Sequence, residues 1–313
     1  MNEFELIARL TGSLPTASPG VVVGAGDDCA VLDLGLPDRY LLFKTDAVVE
    51  GVHFTAATDP HRVGHKALGR CLSDIAAMAG TPTHALITLG LPSQFDVQCV
   101  EAIYAGITAL AARHQVAIVG GETTTNPERI LLSIALLGTV AKGRCPLRSG
   151  ARAGDALFVT GELGGSLTGK HLEFEPRLEE ARWLAEQFDI HAMIDLSDGL
   201  AGDARHLLDA SKVGAELLSD AIPISSAAKR AAQTGLVSKS PLLAALTDGE
   251  DFELLFTVAG REAVPVLDAW KQRFPDLPLS CIGKITAESG LRIRDKKGVR
   301  ALTANGYVHF QKP

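Results

Sequence analysis

Aromatic residues are scarce in this chain, at 5% of 313 residues, and only three methionines are present. Its interior must therefore be filled mainly by aliphatic side chains, which the 46% hydrophobic content supplies. Long apolar runs are absent as well. Every such stretch is interrupted well before the roughly 18 residues that a membrane span requires, so no membrane partner is expected. Residues Met1 to Leu10 carry Glu3 and Glu5 and lack the basic and apolar regions of a signal peptide. A cytoplasmic location is the expectation. The five cysteines (Cys29, Cys71, Cys99, Cys145 and Cys281) are odd in number, far apart and free of any C-x-x-C pair. That excludes a zinc site or a disulfide framework and leaves small buried hydrophobes in a reducing compartment. No basic cluster offsets the net charge of -7, which argues against a nucleic-acid partner. A small anionic ligand stays open if metal ions supply the positive charge. Neither H-E-x-x-H nor G-x-S-x-G occurs, which removes the zincin and α/β-hydrolase readings.

What is present suits two domains, since 313 residues exceed one ordinary core. Phe4, Ile7 and Leu10 recur at helical spacing, and Val21 to Val23 leads into a Gly-Ala-Gly-Asp-Asp turn. Strands are expected at Cys29 to Leu34, Tyr40 to Thr45 (running straight into Asp46), Thr83 to Leu91, Val116 to Val119 and Ile130 to Val140. Asp59-Pro60 reads as an N-cap followed by proline at the first helical position, opening a helix that stops at Gly80. A second helix is expected from Asp96 to His114. Gly143 to Gly150 breaks the periodicity and marks the boundary between domains 1–143 and 144–313. Beyond it come strands at Ala156 to Thr160, Ala192 to Leu196 and Asp251 to Val258. Helices follow at Leu178 to Phe188, Leu200 to Ala210 and Arg261 to Phe274, with a hairpin at Leu291 to Leu302. The close spacing of many strands favours α+β layers over a doubly wound sheet.

The informative feature is a set of acids in apolar or glycine-rich surroundings: Asp27, Asp28, Asp46, Asp74, Glu122, Asp195 and Asp198. Asp74 lies three residues after Cys71 and four before Met78, at the edge of a helix's apolar stripe. A carboxylate there must be neutralised, paired with a base or bound to a metal. Taken singly, each acid is explained as readily by a cap or salt bridge, and Asp198 in Ser197-Asp198-Gly199 suits a cap for the helix at Leu200. As a set they suggest a multi-metal phosphate site, because magnesium is held by a few carboxylates together with substrate phosphates.

Gly164 to His171 nearly spells a P-loop after a strand, but it ends in His171 where a magnesium-binding Ser or Thr is required. A structural turn or lid is expected. Gly120-Gly121 after an apolar strand permits close backbone approach to a ligand or simply a tight turn.

The ordered motifs are G-A-G-D-D-C-A-V-L from Gly24, T-D-A-V-V-E-G-V-H-F from Thr45, L-S-D-I-A-A-M-A-G from Leu72, G-G-E-T-T from Gly120, R-S-G-A from Arg148, V-T-G-E-L-G-G-S from Val159, I-D-L-S-D-G-L from Ile194 and D-G-E-D-F-E-L-L-F from Asp248. Across nearly the whole chain this order resembles the thiamine-monophosphate kinases, relatives of aminoimidazole ribonucleotide synthetase. The resemblance implies an N-terminal α/β domain whose sheet pairs with that of a second subunit, and a C-terminal α+β domain over the cleft. It implies that Asp28, Thr45, Asp46, Asp74, Glu122, Asp195 and Asp198 hold magnesium ions, and that Tyr104, Gly121, Arg148 and Ser197 lie along ATP. His53, Glu250 and Tyr307 would contact thiamine monophosphate. The phosphoryl group would pass directly between substrates, with no covalent nucleophile and no general base, because the acceptor phosphate is already anionic. Three departures stand out: Glu122 where the family has Asp, Lys44 where Ser is common, and a shortened stretch between Ser166 and Pro176. Another ATP-using member of the superfamily, or a non-catalytic nucleotide or thiamine phosphate binder, remains the alternative.

Overall fold

The computed structural model describes residues 3–14, 18–235 and 238–309. Helix α1 (Glu3–Thr11) precedes a six-stranded sheet built from β1 (Val21–Val23), β2 (Ala30–Leu32), β3 (Arg39–Val49), β4 (Thr81–Leu91), β5 (Ala117–Thr125) and β6 (Leu131–Ala141), in the order β1-β2-β3-β6-β4-β5. Only β4 and β5 run parallel. Two helices cover one face, α2 (Pro60–Ala77) and α3 (Val97–Arg113). As expected from the sequence, Asp59 caps α2 by accepting the Arg62 amide, and Pro60 follows it. Gly64 and Gly106 let α2 and α3 touch, since a Cβ on either would fall 1.9 Å from a backbone oxygen of the other helix.

Strand alternation separates the two faces of this sheet. Leu42, Val48, Ile87, Leu132, Ile134 and Leu136 are buried beneath the helices, whereas Phe43, Leu86 and Val119 stand exposed. Strand β3 continues past the expected end at Thr45 to Val49, so Asp46 sits within a strand rather than after one.

The second sheet has seven strands in the order β13-β12-β9-β11-β7-β10-β8. They are β7 (Ala156–Thr160), β8 (Ile190–Asp195), β9 (Gly214–Leu218), β10 (Leu254–Val258), β11 (Leu279–Thr286), β12 (Gly290–Asp295) and β13 (Gly298–Ala301). The β12–β9 pair is parallel and the rest antiparallel, as α+β layering requires. The helices are α4 (Leu178–Gln187), α5 (Leu200–Ser211), α6 (Ser226–Gln233), α7 (Pro241–Thr247) and α8 (Ala263–Arg273). Residues of α5 and α7 share one core with the sheet, while α4 and α8 bring Trp183, Trp270 and Phe274 into mutual ring contact on the other side.

Helix α2 joins the two halves, since its apolar residues belong to the same core as Phe158, Leu178 and Met193. Phe174 stacks on Phe252 at 3.9 Å and packs so closely on Gly69 of α2 that a Cβ there would lie 2.8 Å from the ring. The five cysteines are free, and among the described residues no helix is long and apolar enough to cross a membrane.

Candidate active site

Three acids from distant parts of the chain converge where the two sheets meet through α2. Asp28 follows the turn at Gly26, Asp74 lies on the inner face of α2, and Asp195 ends β8. Each offers an oxygen within 4.8 Å of the others, and their exposures are 1%, 6% and 3%. Carboxylates so placed are costly unless compensated. Arg148 binds one oxygen of Asp28 through Nε and Nη2, the Lys44 ammonium lies 2.8 Å from Asp74, and the Ser73 hydroxyl donates to Asp195 at 2.5 Å. Compensation is incomplete. Among the described residues the other Asp28 oxygen, Oδ2, is buried without a hydrogen-bond partner. Burial pushes the Asp74 carboxyl well above its ordinary range despite Lys44, and burial together with the Asp28 charge pushes Asp195 up to about 7. An orphaned buried oxygen among acids of raised pKa is what a hard, oxygen-seeking dication would satisfy, so the donor set fits magnesium.

Asp46 lies beside this group, with Lys44 Nζ 3.8 Å from one oxygen and Arg70 Nε 3.8 Å from the other. Burial opposes the Lys44 charge, but Asp74 and Asp46 hold its pKa well above the usual lysine value. Arg70 also reaches Glu250 at 3.9 Å, and its Nε is buried with no hydrogen-bond partner. This guanidinium bridges the acid cluster and an adjoining cleft.

The walls of that cleft include His53, Arg70, Ser197, Asp198, Glu250 and Tyr307. The three residues expected around thiamine monophosphate thus share one wall-to-wall space, although they lie far apart in sequence. Backbone locks place them. Glu250 N donates to Ser197 O at 2.7 Å and Tyr307 N to Asp198 O at 2.8 Å. Gly306 makes the second contact possible, because a Cβ there would sit 2.4 Å from Asp198 O. Glu250 and Phe252 adopt φ of 65° and 50°, left-handed values unusual outside glycine, so the cleft wall includes strained backbone. Lys66, 1% exposed, donates to Glu250 Oε2 and to His53 O at 2.7 Å each, tying the two contact residues together.

The tautomer of His53 follows from its neighbours. Val49 N donates to Nδ1 at 3.1 Å, so Nδ1 accepts and the proton of the neutral ring sits on Nε2. Burial, reinforced by Arg70, lowers the His53 pKa to about 4, which keeps the ring neutral near pH 7. Asp198 is not a helix cap. Gly199 occupies the N-cap of α5 without a side-chain bond, and Asp203 accepts the Asp198 amide instead. Burial raises Asp198 to about 6 and leaves it facing the cleft. Asp27 has a structural role, accepting the backbone amides of Asp28 and Arg148.

Other expected site residues lie elsewhere within the chain. Thr45 pairs across the sheet with Ala135, next to exposed Leu86, so its side chain occupies the uncovered face opposite Asp46. Gly121 and Glu122 lie in edge strand β5, three strands from Asp46, a separation of about 14 Å at the usual strand spacing. A Cβ at Gly121 would meet Ile87 O at 1.8 Å, so this glycine serves strand packing. Tyr104 packs half-buried on α3. The P-loop look-alike forms two short 3₁₀ turns, in which the Gly164 and Gly165 amides donate to Asp251 and Asp248, and Lys170 pairs with buried Glu253.

Arg70 and Lys66 were missed by sequence reasoning, although their spacing carried a signal. Residues 66, 70 and 74 recur every four along α2 and therefore share one face.

Comparison with known proteins agrees with this architecture. The N-terminal domain of AIR synthase related proteins matches residues 26–140, and the C-terminal domain of the same proteins matches residues 152–296. A thiamine-monophosphate kinase of Rhodopirellula baltica is 41% identical over 301 residues, covering 93% of this chain and 92% of the relative. That of Salmonella typhimurium is 35% identical over 337 residues, covering 99% of each. A solved structure, "AaThiL complexed with AMPPCP and TMP", superposes with a TM-score of 0.84 at 32% identity, covering 99% of this chain and 97% of that one. With two-domain AIR synthase architecture and full-length identity at this level, the chain belongs to the thiamine-monophosphate kinase family.

Proposed function

We propose that this protein transfers the γ-phosphoryl group of ATP to thiamine monophosphate, giving thiamine diphosphate, with magnesium bound by Asp28, Asp46, Asp74 and Asp195 and with Asp198 at the cleft edge. The observation that carries the reading is the buried acid cluster, with its unpartnered Asp28 oxygen, abutting a cleft walled by His53, Glu250 and Tyr307. The solved relative that holds AMPPCP and TMP supports a site for two phosphorylated ligands.

Magnesium would neutralise phosphate charge and so allow two anions to approach in line. The remaining work falls to side chains. Arg70 stands between the acids and the cleft, which its side chain lines, so an incoming phosphate meets a fixed guanidinium charge there. His53 holds a proton on Nε2 that it can donate to a phosphate oxygen without carrying charge. Glu250, held by Lys66, accepts from an aminopyrimidine, and the Tyr307 ring offers a face to a cationic heterocycle. Arg148 and Ser197 are assigned to ATP. No nucleophile is required, since the acceptor oxygen attacks directly.

The uncovered sheet face supports a homodimer, and we assign Thr45 and Glu122 as magnesium ligands and Gly121 as an ATP contact in a site completed across that interface, with Tyr104 of α3 assigned to ATP from the helix-covered side. The functional division into residues 1–143 and 144–313 belongs to the same proposal, as does a cytoplasmic setting. The test is direct: purified protein with ATP, magnesium and thiamine monophosphate should yield thiamine diphosphate and ADP in equal amounts. ADP release without thiamine diphosphate would point to a different acceptor, and absence of both to a binding protein.

A further inference from the structure

Lys44 occupies an unusual position for a lysine. Strand alternation puts it on the same face of β3 as Asp46, turned toward α2 and Asp74 rather than toward solvent. Its Nζ lies 2.8 Å from Asp74 Oδ1 and 3.8 Å from Asp46 Oδ1. Four carboxylates (Asp28, Asp46, Asp74 and Asp195) here face three side-chain cations, Lys44, Arg70 and Arg148. The compensation is uneven. Both oxygens of Asp46 have a cation within 3.8 Å, and one oxygen of Asp74 has the ammonium, whereas Asp28 Oδ2 has no partner and Asp195 has only a hydroxyl donor. The oxygens most open to a metal therefore belong to the Asp28, Asp74 and Asp195 side of the cluster, and Asp46 would share a metal with them only through Oδ2, the oxygen facing Arg70.

We propose that the Lys44 ammonium fills one cation position of this cluster, between Asp46 and Asp74, so that the chain takes up one divalent ion fewer than its carboxylates alone would hold. The inference rests on reading these acids as magnesium ligands, but not on the identity of the phosphate acceptor. A magnesium ion between Asp46 and Asp74 would need oxygen ligands at about 2.0–2.1 Å, which would place it against an ammonium hydrogen-bonded to Asp74 Oδ1 and 3.8 Å from Asp46 Oδ1. The two cations exclude each other. A covalently tethered charge cannot dissociate, so the Asp46–Asp74 pair stays organised in the absence of free metal and dependence on magnesium concentration is shallower. Lysine is suited to this role as a compact point charge with three donors, where the planar arginine fork would demand more room.

Manganese(II) alone serves as the probe, with bound ions per chain counted by electron paramagnetic resonance on the full-length protein. Wild type is compared with Lys44→Met, which retains the length of the side chain without its charge, and with Lys44→Ser. Each variant should bind one additional ion per chain, and saturating magnesium should raise its melting temperature more than it raises that of wild type. Equal or smaller ion counts in both variants would overturn the proposal. A wild type that binds no manganese at all would instead remove the metal reading beneath it. Should neither variant fold, labelling of wild type decides. Lys44 should stay equally protected from reductive methylation with and without magnesium, as mapped by mass spectrometry. A several-fold increase in its labelling when magnesium is added would show that the ion evicts the lysine, and the proposal would fall.

Discussion

Among the described residues Asp195 has no basic side chain within ion-pairing distance, and its hydrogen-bond donor is the Ser73 hydroxyl. Buried beside Asp28, it is held in place at a cost to stability, as groups placed for function often are. Asp195→Asn should therefore lower turnover at least about tenfold, the usual scale for lost metal support. Its melting temperature in EDTA should hold or rise, because repulsion from Asp28 is removed. Full activity at limiting magnesium, or a marked loss of stability, would make Asp195 a structural acid. His53 gives a second test with a defined sign. Its folded pKa of about 4 lies below the ordinary value of 6.5, so between these values the unfolded chain binds more protons and stability drops as pH falls. The pH dependence of unfolding free energy over that window should be flatter in His53→Gln than in wild type. Identical slopes would mean that the ring is not held neutral. At this scale the acids were legible because carboxylates in apolar segments are conspicuous. Lys66 and Lys44 were harder to place, since a lysine's burial depends on which acids the fold brings to it from 184 residues away, as with Lys66 and Glu250.

Among elements, those with strong local signals appear at or close to the expected residues. Asp59-Pro60 opens α2, Asp96 caps α3, and the apolar run of β7 spans Ala156–Thr160. Strands β9 and β11 had no such signal. The first begins at a glycine admitted only because a Cβ would strike Glu288 O, and the second mixes Ser, Cys, Gly and Lys with its apolar residues. Their pairing with each other and with β7 and β12 supplies what local propensity does not. Helices α6 and α7 had signals that went unread, in the caps Ser225 and Ser240 and in Pro241. The stripe of α1 behaves differently from its periodicity, since Ile7 and Leu10 are exposed, and the Phe4 side chain lies outside the described residues. The glycine-rich segment after β7 owes its P-loop likeness to the demands of two tight turns over Asp248, Asp251 and Glu253. Glu253 retains bidentate Arg177 if Lys170 is removed. Lys170→Ala should consequently reduce turnover far less than Asp46→Asn, and steady-state kinetics of the two variants in the same buffer would reverse that ranking only if the segment held phosphate.

For the whole molecule, the decisive feature is the sheet face that, among the described residues, no helix covers. Phe43, Leu86 and Val119 are 46%, 48% and 59% exposed there, on strands β3, β4 and β5, which also carry Thr45 and Glu122. Exposed large apolar side chains on an uncovered sheet face mark an interaction surface, and edge strand β5 adds unpaired backbone groups beside it. Leu86 lies on β4, beside edge strand β5, so Leu86→Lys should place a charge where a second copy would pack in the proposed dimer while leaving the chain's own core untouched. Light scattering should show wild type as a dimer and the variant as a monomer at the same concentration, with far-UV circular dichroism unchanged. If Glu122 and Gly121 reach the nucleotide only across the interface, the monomer should also lose ATP turnover although Asp28, Asp74 and Asp195 remain clustered within each chain. A monomeric variant with full turnover would show that each chain carries a complete site, and Glu122 would then have to be withdrawn as a ligand. A variant that stays dimeric would move the interface to another surface and leave the exposed leucine unexplained.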